Sequence, residues 1–142
     1  MTVAAILKQK GRDVITSEVT ATVHEVAKRL AHWRIGALLI LDEGGDIVGI
    51  VSERDIVHAL AERGAAILSE PIARIMISNV ITCSPDDSVA RLMEVMTENR
   101  VRHLPVVTNG RLEGIISIGD VVKMRIAEAE LEAEEMKRYI VS

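Results

Sequence analysis

The sequence predicts an α+β fold: one βαββα unit written twice, the two copies packed through their sheets with pseudo-twofold symmetry, followed by a C-terminal helix. Three observations predict it. First, the phrase GIVSERD at 49–55 returns as GIISIGD at 114–120, an offset of 65 residues. Second, DVIT at 13–16 returns as NVIT at 79–82, and the same offset of 66 pairs Val23 with Val89, Arg34 with Arg100 and Leu38 with Leu104. Third, the offset changes by one residue where DEGGD becomes TNGR, a turn, which is where a structural repeat tolerates a deletion. A unit of about 50 residues is short for a core of its own, so two units sharing one is a sufficient structural reason for the duplication.

The elements follow in chain order. A short helix is expected over 2–7, then a β stretch over 14–16. The first long helix opens on Thr22-Val-His-Glu25, a capping-box pattern, and carries apolar residues at Val23, Val26, Ala27 and Leu30. Two strands joined by a glycine turn are expected over 37–41 and 47–51, and a second helix over 56–60. Residues 64–78, with Pro71, read as a linker holding a short helix at 72–76. The second copy repeats the order: a β stretch at 80–83, a helix with Val89, Leu92, Met93 and Met96, strands at 104–107 and 112–116, and a helix from Val121. The organisation expected is a first unit with the N-terminal helix at 1–63, the linker, a second unit at 79–126 and an acidic helical extension at 127–142.

Composition limits the function. Hydrophobic residues make up 49% of the chain, enough for a real core. The net charge is −4, of which the last sixteen residues supply −3, so the body has no strongly basic face for a phosphate backbone. With no Phe, one Trp and one Tyr, base stacking on aromatic rings is also excluded as a main mode. No nucleic-acid partner is expected. Cys83 is alone, which fits a reducing compartment. The first residues lack the apolar core of a signal peptide, and ALLIL at 37–41 is too short to span a bilayer. The expectation is a soluble, cytoplasmic protein without a membrane partner.

The repeated Ser-x-x-Asp admits two readings. In one, Ser52 and Ser117 are helix N-caps, and Asp55 and Asp120 bond back to the cap amide from the third helical position. In the other, the same geometry binds a ligand: helix-start amides attract phosphate and a carboxylate accepts hydrogen bonds from a vicinal diol. Neither a P-loop nor a Rossmann fingerprint is present.

With both phrases in register, and with matching upstream VIT and RIGALLI/RVRHLPVV segments, residues 13–124 resemble a tandem pair of CBS domains. The resemblance implies two βαββα units with two clefts between them, adenine-containing ligands (AMP, ADP, ATP, NAD or S-adenosylmethionine) and a homodimer. It places Asp55 and Asp120 on a ribose, and Ser52 and Ser117 towards phosphate, with Ile118 and Gly119 beside them. It places Val14, Thr16, Val80 and Ile81 at the adenine through their backbone, and Gly36, Ala37, Arg102, His103, Leu104 and Pro105 at the base and phosphate side. Arg54 in copy one corresponds to Gly119 in copy two, and Arg102-His103 replaces Gly36-Ala37, so the two sites are expected to differ. The Asp120 site is expected to bind better, because Arg102 and His103 can reach anionic oxygens.

Other residues have plainer readings. His24, His32, His58 and His103 form no metal-ligand spacing, so no metal is expected. Cys83 reads as a small buried residue, Trp33 as a packing or dimer contact, and Asp86 and Asp87 as groups serving a helix dipole. No acid–base pair or activated nucleophile stands out, so no catalytic residue is assigned. Val122, Ile126, Ala129, Ala133, Met136 and Ile140 recur at spacings of four and three, either a face folded onto the body or a dimer arm. Together these features imply a regulatory module, not an enzyme, that senses an adenine nucleotide or dinucleotide and passes the signal to another protein. The alternative is a dimerisation scaffold without ligand.

Overall fold

The amphipathic spacing after Thr22 produces a helix with a defined start and stop. The structure, a computed structural model, describes residues 1–141. In it α1 spans Val3–Lys10, β1 Thr16–Glu18, α2 Val23–Trp33, β2 Ala37–Leu41, β3 Ile47–Ser52 and α3 Glu53–Arg63. The second half holds α4 at Val89–Asn99, β4 at His103–Thr108, β5 at Arg111–Ser117 and α5 at Ile118–Val141. Thr22 Oγ1 accepts from the Glu25 amide at 3.1 Å, and Ser88 Oγ accepts from the Arg91 amide at 3.0 Å, so both copies start this helix on a hydroxyl cap. Both stop it on an arginine in the left-handed region, Arg34 at φ 53° and Arg100 at φ 54°. The residues at 23, 26 and 30 and those at 89, 92 and 96 are buried, one face of each helix.

The chain divides into two units. One is continuous, Val14–Val80. Its sheet runs β1-β2-β3, with β1 parallel and β3 antiparallel to β2, and its core is built on Val23, Val26, Leu30, Leu38, Ile40, Val51 and Ile56. Residues 64–78, expected as a linker, belong to this unit. They form two 3₁₀ turns, Ala65–Ser69 and Ile72–Arg74, and bury Ile67 and Ile72 in the same core. Pairs of backbone hydrogen bonds tie the segment down, Val23–Glu70 with Ile72–Ala21, and Ile50 with Ile77.

The other unit joins Met1–Asp13 to the chain from Ile81 onward. α1, expected with the first copy, therefore packs with the second. Val3, Ile6 and Leu7 enter a core with Leu92, Met96, Leu104, Val106, Ile116, Val121 and Met124. The amides of Val3 and Ala4 donate to Asp87 O and Pro85 O, so the turn before α4 caps α1. Gly11, at φ 95°, ends α1 three residues later than expected.

Two β stretches differ from expectation. β1 begins at Thr16, so Val14 and Ile15 precede the strand. In the second copy the sheet is β4-β5 alone, and the stretch at 80–83 contributes one bridge, Cys83 to Val106. The reason is local: Pro85 lacks an amide, and Ser84 turns its amide to Asp87 Oδ2 at 2.8 Å, leaving the ladder. Among the described residues no helix is long and apolar enough to cross a membrane.

The repeated glycines have a packing cause. A Cβ at Gly49 would overlap Met76 Sδ and lie 2.8 Å from its Cγ; one at Gly114 would lie 2.6 Å from Leu7 Cδ2. Each β-hairpin thus receives a side chain from a segment outside the βαββα repeat, Met76 in one unit and Leu7 in the other.

Candidate functional site

Each quoted phrase is a strand running into a helix. Ser52 closes β3 and Glu53 opens α3; Ser117 closes β5 and Ile118 opens α5. The register sets Ser52 opposite Ala37 and Ser117 opposite His103. The amides of Glu53 and Ile118 donate to Gly36 O at 2.9 Å and Arg102 O at 2.8 Å, which fixes the preceding strand to the helix start. The sequence-predicted residues Ser52, Asp55, Gly36 and Ala37 are thereby brought together, and so are Ser117, Ile118, Gly119, Asp120, Arg102 and His103.

The capping reading holds at both junctions. Ser52 N and Oγ donate to Asp55 Oδ2 at 2.8 and 2.9 Å, and Asp55 N donates to Ser52 Oγ at 3.2 Å. Ser117 and Asp120 reproduce this set at 2.8, 3.0 and 3.2 Å. In both, one carboxylate oxygen serves the cap. Among the described residues no hydrogen bond reaches Oδ1 of Asp55 or of Asp120. A cap and a ligand contact are therefore compatible on one side chain.

The copies diverge at a residue the sequence reading missed. Lys10 Nζ donates to Asp120 Oδ2 at 2.6 Å and to Ile115 O at 2.9 Å. Burial raises the Asp120 pKa, but the Lys10 hydrogen bond and charge and the Ser117 bonds outweigh it, and the net shift is downward. Asp55 has no cation in this role among the described residues. The signal for Lys10 lay in α1: Val3, Ile6, Leu7 and Lys10 share a face at helical spacing, so a lysine ends a buried stripe and needs an acceptor.

Other predicted residues sit less favourably. Leu104 is fully buried in the core and cannot line a site by its side chain. Pro105, also buried, gives its carbonyl to the Cys83 amide at 2.9 Å. Thr16 pairs with Leu39 in the sheet; Val14, Val80 and Ile81 are half-buried in irregular chain. Arg54 is exposed on the first turn of α3 and makes no ion pair among the described residues. A shallow hollow of about 430 Å³ between α2 and α3 touches the first junction only through Gly36 and Glu53. Its walls are mostly apolar, among them Ala27, Leu30, Ile56 and Val57, with Arg34 and Glu53 as its charged members, and neither Ser52 nor Asp55 lines it.

The remaining candidates settle into structural roles. Burial, with the charge of Asp87, pushes the Cys83 thiol up to about 12. Asp86 and Asp87 lie in the turn before α4, not in its first turn. Trp33 is half-exposed, edge-on to His32 at 5.1 Å. No group of three metal-ligating side chains occurs among the described residues. On α5 the unit's core takes Val121 and Met124, whereas Val122, Ile126, Met136 and Ile140 are exposed.

Comparison with known proteins identifies the family and the fold. The chain is 31% identical over 147 residues to the CBS domain-containing protein CBSX3, mitochondrial, of Arabidopsis thaliana, covering 98% of this chain and 71% of the relative. The crystal structure of the CBS-domain containing protein ATU1752 from Agrobacterium tumefaciens superposes with a TM-score of 0.85 at 46% identity, covering 87% of this chain and 92% of that one. The CBS domain protein PAE2072 from Pyrobaculum aerophilum, complexed with AMP, gives 0.75 at 35% identity, covering 84% and 89%. The CBS domain pattern matches residues 7–62 and again 72–126. A duplicated strand-to-helix junction with a capped carboxylate, in a chain that fits this pattern twice, makes the protein a member of the CBS-domain family with the domain in tandem.

Proposed function

We propose that the protein is a regulatory module, not an enzyme, that binds an adenine nucleotide or dinucleotide (AMP, ADP, ATP or NAD) at its Ser-x-x-Asp junctions. It acts as a cytoplasmic homodimer and reports ligand to a protein effector. The observation that carries this reading is the unused Oδ1 on each capping aspartate. A cap needs one carboxylate oxygen; a second on a partly buried side chain beside a helix start suits a ribose hydroxyl. The AMP complex of PAE2072, at 35% identity, supports the ligand class. Ligand preference for one arrangement of the chain over another would supply the regulatory signal.

Thermal unfolding with AMP, ADP, ATP, NAD, NADH and S-adenosylmethionine tests it. A ligand at a hundred times its Kd adds about 2.7 kcal/mol. For a chain of this size that is a rise of roughly 5–10 °C. Asp55→Asn and Asp120→Asn keep an acceptor for the cap and remove the charge, so the rise should shrink in one or both, each measured against the variant's own unliganded Tm, which in Asp120→Asn falls by the few degrees the Lys10 ion pair supplies. No rise with any ligand would sink the proposal. The exposed stripe on α5 favours one second reading, a dimerisation scaffold without ligand, and that result would support it.

A further inference from the structure

We infer that Lys10 is a ligand-reading residue of the second copy, forming with Asp120 a donor–acceptor pair that recognises the two hydroxyls of a ribose. The inference deepens the function proposed above and rests on it. An ammonium carries three N–H donors. Lys10 directs two of them, to Asp120 Oδ2 and to Ile115 O. On Asp120, Oδ2 takes the Ser117 amide, the Ser117 hydroxyl and Lys10, and Oδ1 takes no hydrogen bond among the described residues. Among the described residues the pair therefore keeps one donor and one acceptor unspent, held side by side by a contact of 2.6 Å. It is reachable: the side chains are 33% and 22% exposed.

A vicinal diol matches that pair. The 3′-hydroxyl donates to Asp120 Oδ1 and the 2′-hydroxyl accepts from Lys10 Nζ, with the ion pair left intact. The fixed Ser117 and Ile115 contacts hold both groups before the ligand arrives, so little ordering is needed on binding. Copy one lacks this device. Asp55 has an acceptor oxygen but no lysine, so a diol there is read by one kind of bond. The two halves of the repeat then differ in how strictly they demand a ribose. α1 supplies the difference from outside the repeat.

Calorimetric titration with AMP and with 2′-deoxy-AMP tests this, using Asp55→Asn protein so that only the Asp120 half reports. The parent should prefer AMP by roughly tenfold, the worth of one or two partly exposed hydrogen bonds. Lys10→Met should lower that preference to about two- or threefold. Lys10→Arg, which keeps a donor, should restore part of it. Circular dichroism of each variant shows that the fold is kept. An unchanged preference in Lys10→Met overturns the inference, as does tighter AMP binding, which would make Lys10 a competitor for the carboxylate. Equal loss of both ligands overturns it too, assigning Lys10 to phosphate. In each of those cases the proposed function stands, because AMP still binds the parent. If AMP fails to bind the Asp55→Asn parent, the inference falls; if the unmodified protein also binds no adenine nucleotide, the proposed function falls with it.

Discussion

Lys10 and Asp120 are 110 residues apart in sequence, and their charged atoms lie 2.6 Å apart. The contact has a pH signature. The folded Asp120 pKa lies below its unfolded value, so the pair contributes stability fully present above the unfolded carboxylate range, near 3.9. That contribution is lost as pH falls through the folded pKa. Lys10→Met should lower Tm at pH 7 by roughly 2–4 °C, consistent with about 0.5–1 kcal/mol for a partly exposed pair. The gap between the two proteins should close on titration below pH ~4. Thermal unfolding at several pH values measures both, and a gap that widened in acid would contradict the assignment.

The two repeated glycines should not tolerate alanine equally. At Gly49 the added methyl meets Met76 along its length, with Cγ at 2.8 Å and Cβ at 3.2 Å. At Gly114 it meets one methyl of Leu7 at 2.6 Å, while Cδ1 and Cγ stand off at 3.6 and 3.7 Å. Gly49→Ala is expected to cost about 1–3 kcal/mol. Gly114→Ala should cost less, because a rotation of Leu7 relieves it. Urea unfolding midpoints of the two variants decide the order.

Cys83 should be chemically quiet while the protein is folded. It is 8% exposed, and its thiol pKa of about 12 leaves almost no thiolate at pH 8. Alkylation by iodoacetamide at pH 8 should be at least a hundredfold slower in buffer than in denaturant. Equal rates would place the thiol in solvent.

The homodimer proposed here has an obvious arm in α5. Val122 and Ile126, 45% and 55% exposed, begin a four-and-three stripe that continues to Ile140 beyond the end of the matched domain at residue 126. The flanking charges suit a parallel pair in register: Arg125 would meet the partner's Glu130, and Glu132 the partner's Lys137. Val122→Cys and Ile140→Cys should each form a disulfide with the same residue of the partner copy under mild oxidation, and Leu131→Cys, off the stripe, should not. Removal of residues 127–142 should lower the mass seen by light scattering to that of a single truncated copy. An unchanged dimer mass would assign the interface elsewhere.

Legibility in the sequence followed the range of the interaction. The hairpins β2–β3 and β4–β5 and the helices α2 and α4 were readable because their caps, turns and apolar faces lie within a few residues of one another. The Ser-x-x-Asp caps were readable for the same reason. Residues 64–78 read as a linker because Pro71 and Gly64 suggest a break; the short helix expected at 72–76 forms at Ile72–Arg74, while Ile67 and Ile72 find their neighbours through tertiary packing that no local pattern shows. The stretch at 80–83 has strand-like residues, yet Pro85 and the Ser84–Asp87 turn draw the chain away after one bridge. The assignment of α1 to the second copy, and with it Lys10 at Asp120, depends on contacts across about a hundred positions, which no local pattern encodes.

That assignment also sets an order of events during synthesis. Residues 14–80 are continuous, so their core can close soon after they leave the ribosome. The apolar face of α1, with Val3, Ile6 and Leu7, is made before its partners at Leu92, Leu104, Ile116, Val121 and Met124. At ordinary elongation rates it waits roughly six to twenty seconds for them. During that interval the nascent chain carries a finished half and, N-terminal to it, an uncovered amphipathic helix. A segment made well before its partners is thus among the last to find its place.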